Sequence, residues 1–380
     1  MKSIQPLFAL LLLGAGAAHA ASPECVGSEA KLSWPADNPV WEMCWLRPSQ
    51  SSGVQGSGLE VRNVHYKGIL VLKTAHSPIL FAEYTSSTCY RDWKDSNSSL
   101  IAEPVVRNML GTSVEFPATT SCDRSNHPTQ SYGTCPFQLA GHSAADCFTG
   151  VSIEDGGDHV TLTTQYVAGW YLYSSRFTFF ADGSFSPEMG FGNSNGTLNS
   201  TTHWHHNYWR LDFDIDGSEN NQFSINDVIQ DTEFTALIDR NGGPGGGERT
   251  FEVRNSQTGR GYRMFPGDFD YESPANQSGR GFHLVDVLGT VYHPGEYADR
   301  PTNNLGDCAF LENNLANGED LSGPEGTGTN VVLYDRGGVR DRTNEGPGTQ
   351  DSMICKKVGP VFVPFGNWEL EPHIFSDGFE

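Results

Sequence analysis

The stretch Trp209-Arg210-Leu211-Asp212-Phe213-Asp214-Ile215-Asp216 alternates apolar and charged side chains without a break. A period of two is the signature of a strand with one face on a core, because successive side chains leave a strand on opposite sides. Trp209, Leu211, Phe213 and Ile215 are expected on one face, and Arg210, Asp212, Asp214 and Asp216 on the other. Just before it, separated by Asn207-Tyr208, stands His203-Trp204-His205-His206. On a strand, residues two apart share a face and sit roughly 6.6 Å apart along it. His203 and His205 can then reach one metal ion together, since neutral imidazole is a ligand for copper, zinc and iron. The same four residues also make an ordinary polar strand end. A competing reading is a calcium-binding helix–loop–helix, because Asp212-x-Asp214-x-Asp216-Gly217 matches the opening of its loop. The twelfth position is Phe223 instead of Glu, and the strand pattern runs through the aspartates, so the strand reading stands.

Elsewhere, short strand-like runs separated by turn residues dominate. Leu59 to Lys73 reads as a hairpin folded at Lys67-Gly68, and Val160 to Val167 as a strand. Arg176 to Phe185 reads as a hairpin turning at Ala181-Asp182-Gly183. Asn330 to Leu333 is a buried strand, and Val358 to Phe365 another, interrupted by prolines. Many short strands with Gly-rich turns predict an all-β sandwich. The glycine run around 241–247 lacks the Lys-Ser/Thr of a phosphate-binding loop. No repeat or linker divides the chain, so one domain over residues 21–372 is expected.

The N-terminus reads as a secretory signal peptide over residues 1–20. It has Lys2, an apolar run from Leu7 to Leu13, and Ala18-His19-Ala20 as cleavage site. That run is too short for a membrane span, and no other segment qualifies. A secreted or periplasmic location follows, and an even count of eight cysteines there implies up to four disulfides. Closeness in sequence favours Cys25–Cys44 and Cys308–Cys355, leaving Cys89, Cys122, Cys135 and Cys147 open. No Cys-x-x-Cys pair is present, which argues against a zinc ribbon or a thioredoxin motif. The formal charge of −22 argues against nucleic acid as partner. It suits a cationic substrate such as an amine, and acidic surfaces are also common in exported proteins. The last eight residues, His373 to Glu380, look appended and resemble a short tag of some exported bacterial proteins.

His203-x-His205, five intervening residues, then Leu211-Asp212-x-x-x-Asp216-Gly217 resembles the copper-ligand strand of the copper amine oxidases. Further stretches resemble that family's catalytic domain. Gly58-Leu59-Glu60-Val61, Val64-x-Tyr66 and Pro78 to Tyr84 resemble its opening strands, whose closing Pro-Tyr-Gly-Asp turn survives here only as Tyr84. Gly169-Trp170-Tyr171-Leu172-Tyr173 resembles the Gly-Asn-Tyr-Asp-Tyr segment whose first tyrosine becomes the topaquinone cofactor, and Asn330 to Tyr334 resembles a final strand. The resemblance covers the catalytic domain, and the family's smaller N-terminal domains are not expected in this sequence.

The resemblance implies a copper amine oxidase-like β-supersandwich that deaminates a primary amine to an aldehyde with oxygen, and a homodimer. It implies Tyr171 as quinone precursor and Asp95 or Asp92 as catalytic base. His203 and His205 become copper ligands, and Asp341 falls at the place of the third, where the family has histidine. His283 and His293 are either replacements for that lost histidine or, the favoured reading, ordinary surface or half-buried histidines. Asp212, Asp214 and the Phe213 carbonyl would hold a second, calcium-type ion, with Asn330 offering a further oxygen. Around Tyr171 the pattern departs: Trp170 stands where the family has asparagine, and Leu172 where it has an acidic residue. Two other classes therefore stay open: a non-catalytic metal- or ligand-binding sandwich, and a quinone-free metal enzyme using two histidines and one aspartate.

Overall fold

The computed structural model describes residues 22–46, 50–52, 58–84, 89–91, 151–168, 171–193, 203–236, 249–266, 286–296, 316–341 and 356–369. Their order is β1 (Ala30–Trp34), β2 (Trp41–Leu46), β3 (Glu60–Tyr66), β4 (Ile69–Tyr84), β5 (Cys89–Arg91), β6 (Ser152–Asp155), β7 (His159–Ala168), β8 (Tyr171–Phe180), β9 (Phe185–Asn193) and β10 (His203–Phe213). Then follow β11 (Asn221–Ile225), β12 (Val228–Ile229), β13 (Phe234–Ala236), β14 (Phe251–Asn255), β15 (Gly261–Phe265), β16 (Val287–Val291), β17 (Val331–Asp341), β18 (Lys356–Val358) and β19 (Val361–Phe365). The described residues contain no α-helix.

These strands make two antiparallel sheets. The first runs β1-β2-β3-β4-β10-β17-β16-β13, with β5 also on β4; the second runs β12-β11-β14-β15-β19-β9-β8-β7-β6, with β18 on β9. The chain is all-β, as its alternation predicts. The turn at Lys67-Gly68 has φ of 49° and 77°, the left-handed pair that matches the twist of a two-residue hairpin. The turn after Phe180 needs glycine for two reasons. Gly183 has φ 92°, and a Cβ there would lie 2.5 Å from the Tyr66 ring. The expected Val358–Phe365 strand is two strands, broken at Gly359-Pro360, since proline cannot donate to a ladder.

The core lies between the sheets. Trp41 of β2 packs on Phe179 of β8 at 5.0 Å between ring centroids, and its indole N–H donates to the Phe180 carbonyl at 2.6 Å. Trp209 of β10 meets Phe177 of β8 at 5.2 Å, while Phe213 of β10 meets Phe362 of β19 at 5.7 Å and Phe185 of β9 at 6.5 Å. Trp209, Leu211, Phe213 and Ile215 are all buried in this layer, which is the face the period of two assigns them. Each buried aromatic contributes roughly 2–3 kcal/mol by area removed from water.

The opposite face of β10 is also out of water. Arg210 and Asp212 are buried, and Arg210 donates to Glu296 Oε1 at 2.8 Å and to Thr74 Oγ1 at 2.9 Å. Beside them Arg336 of β17 bonds the buried Asp286 and lies 2.9 Å from His206 Nδ1. Buried charge persists only where it is paired in this way.

Candidate metal centre and its surroundings

β10 sits inside the first sheet, between β4 and β17, so both edges of its backbone are paired. Its ladder with β17 is regular from end to end: His203 stands opposite Asp341, His205 opposite Val339, and Leu211 opposite Leu333. On the other side His203 stands opposite Tyr84 and His205 opposite Ala82. Residues directly opposite in an antiparallel ladder share a face, with Cα atoms about 4.5–5.5 Å apart. His203, His205 and Asp341 therefore occupy one patch of one face. Its parity is that of Trp209, Leu211 and Phe213, the inter-sheet core face, and His205 is fully buried.

Tyr171 begins β8 in the facing sheet. The β8–β9 ladder is regular from Tyr171 to Phe179, so Tyr171 has the strand parity of Phe177 and Phe179, which pack toward the first sheet. The aromatic contacts align the two sheets. Phe213 packs on Phe185, the cross-strand partner of Phe179, and Trp209 packs on Phe177. Going from Phe213 to Trp209 on β10 thus corresponds to going from Phe179 to Phe177 on β8. Both strands reach their N-terminal ends about 20 Å beyond the Trp209–Phe177 contact, six residues on at the strand rise. His203 and Tyr171 lie at the same end of the interior layer.

His293, an alternative third ligand, lies elsewhere. Val291 pairs with Val331, which pairs with Phe213, so His293 follows β16 at the far end of β10 from His203. Ten strand residues separate those ends, about 33 Å. There His293 Nε2 is 3.0 Å from Glu319 Oε1, in a group with Glu233 whose ligand atoms all lie within 4.8 Å of one another. Glu233 also accepts the backbone N–H of Val291 at 3.0 Å and of Asn317 at 2.7 Å. Of the two readings of His293, register supports the ordinary one: it stands at an acidic loop junction and not beside His203. Asp92, Asp95 and His283 lie outside the described residues.

Asp212 and Asp214 leave on the parity opposite His205. Asp212 Oδ2 lies 3.7 Å from Arg210 Nη2 and accepts a long hydrogen bond from Thr74 Oγ1 at 3.4 Å. Phe213 ends β10 between the two aspartates, opposite Val331, and Asn330 directly precedes Val331. Asn330 thus falls at the register step of Asp214. One carboxylate oxygen of Asp212, one of Asp214 and the amide oxygen of Asn330 are buried without a hydrogen-bond partner among the described residues. Burial raises the Asp214 carboxyl to about 7, helped by the Asp212 charge, and burial also pushes Asp212 upward. Unpaired buried oxygens are costly, and an oxygen-only set of this kind suits a hard cation.

Cys25 and Cys44 form a disulfide, as their proximity in sequence predicts. The Cys308–Cys355 pairing and those among the middle four cysteines lie outside what is described. Sequence reasoning missed the buried Arg210–Glu296 and Arg336–Asp286 pairs, because partners 86 and 50 residues apart leave no local signal. No helix among the described residues is long and apolar enough to cross a membrane.

No protein-family model matches the chain, and no curated protein matches it by sequence. Solved structures do resemble it. A lysyl oxidase from Pichia pastoris is 12% identical with a TM-score of 0.54, over 86% of this chain and 51% of that one. A copper-containing benzylamine oxidase from Hansenula polymorpha is 14% identical with a TM-score of 0.54, over 98% of this chain and 64% of that one. The chain thus spans about half of the first and under two thirds of the second. At these identities the likeness shows the fold: two antiparallel sheets arranged as in copper amine oxidase domains.

Proposed function

We propose that the chain is a secreted or periplasmic, amine oxidase-like metal protein. It would convert a primary amine, oxygen and water to an aldehyde, ammonia and hydrogen peroxide. The observation that carries the reading is the convergence at one end of the interior layer. Two histidines and a carboxylate share one ladder, and a tyrosine opens the strand facing it. The donor set fits a divalent first-row metal, being two imidazoles and one carboxylate on one face. His203, His205 and Asp341 would hold copper there. When present, copper and the quinone it generates from tyrosine supply the electron sink that takes two electrons from an amine and hands them to oxygen.

The chain's own residues do the rest. Tyr171 contributes the phenol that is oxidised. Asp95 or Asp92 takes the proton from the carbon beside the substrate nitrogen, for which its carboxyl must be held above the ordinary range. Asp212, the Phe213 carbonyl, Asp214 and Asn330 hold a calcium-type ion on the other face, where the unpaired side-chain oxygens of Asp212, Asp214 and Asn330 otherwise remain a cost. The net charge of −22 favours approach of a cationic amine. A homodimer belongs to the same reading.

A second reading, a metal-binding sandwich without the quinone, is favoured by Trp170 and Leu172, which flank Tyr171 with bulk where the family has polar residues. Peroxide and aldehyde release from the copper-loaded protein, measured over a panel of alkyl and aryl amines, separates the two. The oxidase reading expects equimolar products that vanish in Tyr171→Phe. No amine-dependent peroxide from metal-loaded protein contradicts it.

A further inference from the structure

We infer that Asn317 is a site of spontaneous deamidation in the folded protein, at which the Gly318 nitrogen closes on the Asn317 side chain and leaves aspartate or isoaspartate in its place. No metal takes part, so the site stands apart from the oxidase reading.

Asparagine followed by glycine occurs at Asn195-Gly196, Asn241-Gly242 and Asn317-Gly318. The first two pairs lie outside the described residues, and the third stands in the loop before β17. The reaction is an attack by a backbone nitrogen on the neighbouring side-chain amide, so that nitrogen must be uncovered and unengaged. Three features of the loop meet the need. Asn317 and Gly318 are both exposed. A Cβ placed on Gly318 would meet nothing within 4 Å, so that face of the backbone is open. The N–H groups on either side are both taken by the buried Glu233, to whose Oε2 Asn317 donates at 2.7 Å and Glu319 at 3.3 Å. Between them, the Gly318 N–H has no acceptor among the described residues.

The Asp-Gly pairs of the same fold differ. Gly156 N–H donates to the His159 carbonyl at 2.8 Å, Gly183 to that of Phe180 at 3.0 Å and Gly217 to that of Asp214 at 2.9 Å. A nitrogen held in this way must break its hydrogen bond before it can react, and that local opening costs free energy.

The step balances without an oxidant or reductant. The Gly318 nitrogen gives up its proton and bonds to Asn317 Cγ; the Cγ–Nδ2 bond breaks, and ammonia leaves with the proton. The cyclic imide then takes up one water. Opening at Cγ leaves aspartate. Opening at the main-chain carbonyl leaves isoaspartate, whose backbone runs through Cγ and is one carbon longer. That carbon lies between the two N–H groups that Glu233 holds, so the two cannot both keep their present contacts. The isoaspartate form is therefore expected to melt at a lower temperature than the unmodified protein.

The test incubates full-length protein at mildly alkaline pH beside a synthetic peptide of residues 314–322. Both are sampled over days by peptide-mapping mass spectrometry and by enzymatic labelling of isoaspartate. Asn317 of the native protein is expected to show the mass gain of an amide turned to an acid, at a rate comparable to the peptide's. Asn317→Gln is expected to show none, because its ring would be one atom larger and closes far more slowly, while the backbone contacts to Glu233 are kept. Urea below the unfolding transition separates reaction in the folded chain from reaction in the unfolded one. A rate unchanged by urea supports the site, and a rate that climbs steeply with urea overturns it, since the chain must then unfold to react. An unmodified Asn317 after the peptide has converted fully overturns it as well.

Discussion

His203 stands directly across the β10–β17 ladder from Asp341. Eight consecutive register steps on, Leu211 is opposite Leu333 with no slip between, so a core pairing and the candidate metal pairing are set by one ladder. A one-residue slip would move every β10 side chain to the other face. The hydrophobic set Trp209, Leu211 and Phe213 thus fixes which face His203 and His205 take.

Metal content should depend on that face. The double change His203→Ala, His205→Ala is expected to lower bound transition metal from about one ion per chain to none while leaving the far-ultraviolet dichroism unchanged. Elemental analysis after dialysis checks it. Equal metal in wild type and variant would remove both histidines from the account.

Calcium should raise the melting temperature, and Asp214→Ala should abolish the rise. The pH dependence has a defined sign. The Asp214 carboxyl titrates near 7 in the folded chain and near its ordinary value when unfolded. Without calcium the folded state binds the extra proton between those values, so the stability from this group is full at low pH and is lost as pH rises toward 7. Calcium requires the ionised carboxylate, so its affinity should climb with pH through about 7 and then level off. Calorimetric titration at several pH values checks this, and a flat affinity would contradict it.

Arg210 neutralises two buried carboxylates, Glu296 at 2.8 Å and Asp212 at 3.7 Å. Arg210→Met is expected to cost about 3–5 kcal/mol, because it leaves uncompensated charge in a buried layer. Denaturant unfolding measures it. A loss below about 1 kcal/mol would mean that water reaches these groups.

The Cys25–Cys44 bridge ties the first two strands together across a sequence separation of 19. Replacing both cysteines with serine is expected to cost about 3 kcal/mol, mainly by freeing the unfolded chain. Alkylation without reductant, read by mass, should find both thiols protected in the native protein; labelled Cys25 and Cys44 would contradict the bridge.

Much of this architecture is legible from local pattern. Lys67-Gly68 and Ala181-Asp182-Gly183 give their hairpins away because positive φ needs particular residues. The alternation from Trp209 to Ile215 assigns the core face correctly. β17 is less legible: Asn330 to Leu333 reads as a short strand, yet β17 runs to Asp341. Its later residues, Asp335-Arg336-Gly337-Gly338, carry charge and glycine, and the pairing of Arg336 with Asp286 is what lets them lie buried. Polar residues that are buried in pairs leave no hydrophobic period. The candidate ligands were legible as residue types, but the step that sets Asp341 beside His203 is a long-range register, which only the assembled sheet supplies.

If Tyr171 and a metal held on β10 act as one redox site, copper and oxygen alone should convert the tyrosine. Apo-protein is loaded with Cu(II), exposed to oxygen, and followed by visible absorption, by phenylhydrazine reaction and by the mass of the peptide containing Tyr171. The account predicts a slowly growing quinone band, a hydrazone and a mass increase at Tyr171, all lost in Tyr171→Phe although that variant still binds copper. A copper-loaded wild-type protein with no band and an unmodified Tyr171 would contradict it.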